Sequence, residues 1–162
     1  MRLPVRLLRR LLGRVRRAGA WAVVLVFQTD LSASQALQLV TMVVTISVPA
    51  TAFDPTTGKA DVTIPRGLVL QVQSSNSWRL GLRAVRAYFV NEAAVGDTKS
   101  VSDLQLRNAD GGAIYVPSVA SVEIARGGNT HGYVEYAFDV ILQATTADPA
   151  GLYSVNLEFN LH

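Results

Sequence analysis

The chain has 162 residues, 49% of them hydrophobic, with a formal charge of +3 and no cysteine. One domain is the expectation at this length, and disulfides, thiolate metal sites and cysteine nucleophiles are excluded. Arg2, Arg6, Arg9, Arg10, Arg14, Arg16 and Arg17 all fall in the first 17 residues. The basic balance therefore describes a leader and not a surface for nucleic acid.

After the arginines come an apolar run, AGAWAVVLVF (18–27), and a polar stretch, QTDLSASQA. A basic region, a short apolar region and small residues at a cleavage point make a secretory signal over 1–36, cut after Ala36 or, as second choice, Ala33. The competing reading is an uncleaved anchor, but about ten apolar residues fall short of the roughly 20 that span a bilayer. Arg16-Arg17 matches only the arginine pair of a twin-arginine signal. Removal of 1–36 leaves 8 basic and 11 acidic residues, a formal −3. The processed chain is then expected to be secreted, periplasmic or at the cell surface, off the membrane, with no nucleic-acid partner. A retained leader would make it a monotopic protein. Without disulfides, segment 37–162 must be stable through its core alone, which its size permits.

LQLVTMVVTISV (37–48) alternates, with Val40, Met42, Val44, Ile46 and Val48 on one face, and reads as a strand ended by Pro49. PATAFDPTTGKA is a loop. Val62 and Ile64 predict a short strand stopped at Pro65, and Leu68, Leu70 and Val72 predict another. Ser74-Ser75-Asn76-Ser77 is then expected to turn a hairpin into a strand carrying Trp78, Leu80, Leu82 and Ala84, with Trp78 in the core. NEAAVGDTKSVSD (91–103) is polar and loop-like. Short strands near 104–106, 113–116 and 121–125 follow, the first two joined by the turn NADGG. RGGNTHG turns into Val134, Tyr136, Phe138, Val140 and Leu142, facing away from Glu135, Asp139 and Gln143. The closing strand sets Tyr153, Val155, Leu157, Phe159 and Leu161 against Ser154, Asn156, Glu158 and Asn160. Short strands, turns every 8–12 residues and no helical period after residue 36 predict an all-β fold. The expected form is an antiparallel immunoglobulin-like β-sandwich of about 7–9 strands behind the N-terminal signal segment.

Chemistry is sparse. His131 lies in a glycine-rich turn without a nucleophile at any recognised spacing, and His162 is the last residue. Asp103, Asp110, Glu123, Glu135, Asp139 and Asp148 are scattered over turns and outward positions. NADGG (108–112) lacks the alternating oxygen ligands of a strong calcium loop. No catalytic, cofactor or metal residue is assigned, and the expectation is a protein that is not an enzyme.

DPAGLYSVNLEF, with its Gly-x-Tyr-x-x-x-Leu-x-Phe-x-Leu pattern, resembles the closing strand of spore-coat-U-like and fimbrial, pilin-like subunits of bacterial surface fibres. The resemblance is firmest over the last 30 residues, and this chain lacks the cysteine pair common in such proteins. It implies a structural or adhesive surface subunit that assembles by β-strand addition. The strand-addition candidates are then Val40, Met42, Val44, Ile46 and Val48. The same strand fits equally well as the domain's own first strand, since the alternation would be identical. VQSSNSW (72–78) is similar to a hairpin of small carbohydrate-associated sandwich modules. It raises a glycan-binding alternative, for which Tyr88, Phe89, Tyr115 and Tyr133 are the aromatic candidates. Partners are thus other subunits through edge strands, or a glycan.

Overall fold

The computed structural model describes residues 21–30, 35–39, 43–91, 99–149 and 151–162. Eleven strands run in chain order: β1 (Trp21–Asp30), β2 (Gln35–Leu39), β3 (Val43–Val48), β4 (Lys59–Ser74), β5 (Trp78–Ala84), β6 (Val90–Asn91), β7 (Leu104–Asn108), β8 (Ile114–Tyr115), β9 (Val122–Gly127), β10 (Val134–Thr145) and β11 (Leu152–Leu161). The only helical elements among the described residues are 3-10 turns at Ala50–Ala52 and Val101–Asp103.

The strands form a two-sheet sandwich. The first sheet has the order β3-β1-β11-β5-β9, with β6 beside β11, and the second has the order β2-β4-β10-β7-β8. Every second side chain faces the partner sheet, as the pleat requires. From the first sheet Val23, Leu25, Ile46, Leu80, Leu82, Leu157 and Phe159 join one continuous core, and from the second Leu68, Leu70, Leu106, Phe138, Val140 and Leu142.

Several expectations change. Pro65 does not end a strand, because β4 runs through it for 16 residues. Its pairing with β10 jumps from Leu68↔Phe138 to Ile64↔Val140, so that Pro65, Arg66 and Gly67 bulge out opposite Asp139. A bulge is where a strand tolerates proline, because no ladder donor is needed there. Arg66 takes the left-handed φ of 48° and its amide donates to Asp139 Oδ1 at 2.9 Å. Gly67 is required by close approach, since a Cβ there would lie 2.9 Å from Val140 Cγ2.

Residues 75–77 do not turn a hairpin, because β4 and β5 belong to different sheets. The Ser74 hydroxyl accepts from the Asn76 amide at 3.2 Å, and the chain crosses from one layer to the other. The β9–β10 and β10–β11 connections cross in the same way. β7–β8 is the one hydrogen-bonded pair of consecutive strands among the described residues.

Residues 21–27 of the apolar run assigned to the leader lie in β1. This strand is inserted between β3 and β11, antiparallel to the first and parallel to the second. It is the one parallel neighbour in a sandwich otherwise antiparallel among the described residues.

Candidate strand-addition site

The site is the N-terminal side of the first sheet. Val23 faces Ile46 on β3 and Tyr153 on β11, while Leu25 faces Val44 and Val155. Both β1 side chains are fully buried, and the outward Val24 is also nearly covered at 6% exposure. A strand buried on both faces reads as a continuous apolar run and not as an alternation, so such a run suits a strand core as well as a signal core.

β3 ends the sheet. Val44, Ile46 and Val48 point inward and are buried, with Thr45 and Ser47 exposed between them. Of the five strand-addition candidates, Val40 and Met42 lie outside the described residues. Among the described residues β3 hydrogen-bonds to β1 alone, so its place in the sheet depends on β1. Its outer edge carries no charge, and Pro49 lies only just beyond it.

Other sheet edges differ. β9 carries Glu123 and Arg126, with Arg126 Nε 3.7 Å from Glu123 Oε1. β8 is two residues long and is followed closely by Pro117. Charge, shortness and proline are devices that stop edges pairing with foreign strands. The two edges that are uncharged and longer than two residues, β2 and β3, both come from residues 35–48.

The closing strand supplies the floor of the site. Tyr153, Val155, Leu157, Phe159 and Leu161 are all buried. The Tyr153 hydroxyl donates to the Pro149 carbonyl at 2.6 Å, and its ring meets Phe89 edge-on at 6.4 Å.

Trp78 is buried, packed edge-on against Tyr136 at 5.4 Å. Its ring covers Gly127, where a Cβ would lie 2.7 Å from Cζ2. Its Nε1–H is buried without an acceptor among the described residues. An open hollow of about 450 Å³ beside it is lined by Ser77, Arg79, Arg126 and His162.

The aromatic candidates do not form one platform. Phe89 is in the core and Tyr115 packs edge-on against Phe138 at 6.1 Å. The exposed pair, Tyr88 and Tyr133, lie on different layers, Tyr88 next to β6 of the first sheet and Tyr133 next to β10 of the second.

Most of the carboxylates meet cations. Arg107 grips Asp139 Oδ2 at 2.7 Å through Nη2, and Arg66 binds Glu135. The backbone amide of Arg66, then the Arg107 side chain, hold the Asp139 carboxyl below its ordinary pKa, because both donate to the charged form. Asp103 and Asp148 converge on Lys99, which lies in the polar stretch 91–103. Lys99 is 1% exposed, and its Nζ donates to both Oδ2 atoms at 3.0 Å and to the Gln143 carbonyl at 2.6 Å. The only early signal was Asp103 four residues after Lys99. In NADGG, Asn108 Oδ1 accepts from the amides of Asp110 and Gly111 at 2.8 and 3.0 Å. That is turn geometry. His131 is exposed. No group of three His, Asp or Glu is placed to hold a metal among the described residues, and no helix among them is long and apolar enough to cross a membrane.

The chain matches no protein-family model and no curated protein.

Proposed function

We propose that this protein is an exported structural or adhesive cell-surface subunit that assembles by β-strand addition through the N-terminal side of its first sheet. One observation carries the reading. Among the described residues β3 is an uncharged edge strand tied to the domain's backbone ladder only through β1, a strand that lies inside the expected leader.

With a cut after Ala36, β11 and β3 lose the strand between them. Residues 43–48, with Val44, Ile46 and Val48 as their inward row, are then free to pair with the exposed β11 of another copy. Main-chain bonds would supply affinity and the alternate apolar side chains would supply register. The resemblance of DPAGLYSVNLEF to the closing strand of pilin-like subunits supports the same reading, because that strand is the wall of the site.

Size-exclusion chromatography with light scattering tests it. A chain starting at Leu37 is expected to give a ladder of oligomers, and one starting at Ala50 a folded monomer. A folded monomer from Leu37, or loss of folding on starting at Ala50, overturns the reading; the latter would make β3 an obligatory strand of its own domain.

A further inference from the structure

From the opposed arginines of β5 and β9 we infer that the hollow beside Trp78 binds a carboxylated saccharide, a uronate unit of an acidic polysaccharide. This rests on the adhesive half of the proposed function and names its ligand class, but it uses residues that strand addition does not touch. The hollow lies on β5, β9 and the end of β11, toward the opposite edge of the first sheet from β3.

Three observations support it. The first is an unmatched charge. Arg79 and Arg126 stand directly opposite each other in the β5–β9 register, and both side chains are largely exposed. Like charges so placed destabilise a strand pair. Arg66, Arg83 and Arg107, the other arginines on the described strands, each hold a carboxylate at hydrogen-bond distance. Arg79 and Arg126 instead share Glu123, whose oxygens lie 3.8 and 3.7 Å from their Nε atoms. Neither guanidinium makes a hydrogen bond among the described residues. Two cations against one acid leave one positive charge over. A single carboxylate balances it, and the guanidinium forks present paired donors to such a group.

The second observation is the lining. A volume of about 450 Å³ falls within the roughly 300–1,000 Å³ of small-molecule sites and exceeds what a bare ion needs. The two guanidiniums, the Ser77 hydroxyl and the His162 ring can all donate into it. Trp78 lines it too, and its indole N–H has no acceptor among the described residues. The ring edge that carries this N–H lies beside Gly127, another lining residue, where a Cβ would be 3.0 Å from Nε1. Buried donors are ordinarily paired, and saccharide oxygens are the acceptors that this wall lacks.

The third is the want of an apolar socket. Trp78 is the one large apolar side chain in the lining, and it is only 2% exposed. A peptide carboxylate would find nothing to seat its neighbouring side chains, whereas a hydroxyl-rich ring needs no such seat. One uncompensated positive charge is also too little for a nucleic-acid backbone.

The experiment uses the full chain carrying Trp21→Phe, which leaves Trp78 as the sole indole. Its fluorescence is titrated with D-glucuronate, with D-glucose, which lacks the carboxylate, and with acetate, which lacks the ring. Amide NMR shifts of residues 77–79, 126–127 and 162 give a second readout. A saturable response to glucuronate alone is expected. Arg79→Gln and Arg126→Gln should each weaken it about 10-fold or more, the loss of a charge-assisted contact. Glu123→Gln, which removes the resident acid, should tighten it. Arg83→Gln, on the same face but paired with Glu158, should leave it unchanged.

No saturable response to glucuronate in either readout overturns the inference. So does equal binding of glucose, because the carboxylate would then go unread, and equal binding of acetate, because any anion would then serve. A loss on Arg83→Gln as large as on Arg79→Gln reduces the effect to general surface charge and overturns it as well. An oligomer ladder from Leu37 without glucuronate binding strikes the saccharide site and leaves strand addition standing. Glucuronate binding by a protein whose Leu37 form is a folded monomer keeps the site and removes strand addition.

Discussion

Lys99→Met isolates the buried charge cluster at the base of the β10–β11 connection. An ammonium has three protons, and here each has an acceptor: Gln143 O at 2.6 Å, Asp103 Oδ2 at 3.0 Å and Asp148 Oδ2 at 3.0 Å. Methionine keeps the stem and removes the charge. It leaves Asp148, whose side chain is 13% exposed, with the Thr145 amide at 2.8 Å as its remaining named donor. Removing one partner of a buried ion pair costs about 3–5 kcal/mol. Asp103, at 37% exposure, can rehydrate, which places the expected loss at the low end, about 3 kcal/mol. At roughly 3 °C per kcal/mol for a chain of this length, the melting temperature should fall by about 10 °C. Asp103→Asn should cost only about 0.5 kcal/mol, as for an exposed pair. The double variant Lys99→Met/Asp148→Asn should lose less than the two single losses added together, with a coupling of about 1–3 kcal/mol. Thermal unfolding followed by circular dichroism, with urea midpoints as a check, reads all four. A Lys99→Met protein melting within about 2 °C of the parent would refute the argument, because an ammonium that can be removed without loss was never desolvated.

Leu157→Asp puts a carboxylate into the centre of the core row of β11 and should abolish cooperative unfolding, whereas Asn156→Asp, one position away and exposed, should shift the melting temperature by less than about 2 °C. Gly127→Ala should cost about 1–3 kcal/mol, because its Cβ would lie 2.7 Å from a ring of Trp78 that cannot swing away in the core; a neutral result in urea unfolding would mean that Trp78 does not sit over Gly127. Asp139 has a depressed pKa in the folded state, caused first by the Arg66 amide and next by Arg107. Its stabilisation is therefore present above the ordinary aspartate value and is lost as pH falls through the folded value. Asp139→Asn should be less stable than the parent at pH 7, with the gap narrowing below pH 4; a gap constant down to pH 2 would sink the assignment.

The parts of this fold that sequence makes visible are those set by the pleat. Alternation over 153–161 and 78–84 is a local consequence of one face meeting a core and the other meeting water, so those strands and their inward rows could be read directly. Partner choice is not local. Ser74-Ser75-Asn76-Ser77 has residues that suit either a hairpin or a crossing between layers, and only the distant partners of β4 and β5 decide. Pro65 was read as a stop because its missing donor matters in a regular ladder; the bulge clamped by Asp139, 73 residues away from Arg66, made that donor unnecessary. Lys99 carried no mark of burial, since a lysine between polar neighbours looks solvated until both aspartates are placed around it.

The segment 18–27 shows the deeper reason why the site was harder to read than the fold. An apolar run of this length is what a translocation signal needs and also what a strand buried on both faces needs, and composition cannot separate the two. A strand drawn from an export leader would have to satisfy both demands in turn. It must be apolar enough to direct export, and it must offer an extended backbone whose inward residues, Val23 and Leu25, match the spacing of Tyr153 and Val155. This double requirement predicts an asymmetry that a plain signal would not show. Replacing Leu25 by Asn should weaken the seating of β1 between β3 and β11 through the loss of a fully buried apolar side chain. Moving the same apolar residues one position along the chain should preserve export yet turn the inward set outward. If the shifted segment stabilised the full chain against urea as well as the native one, the register match between β1 and β11 would have no role, and the strand's contribution would reduce to generic hydrophobicity.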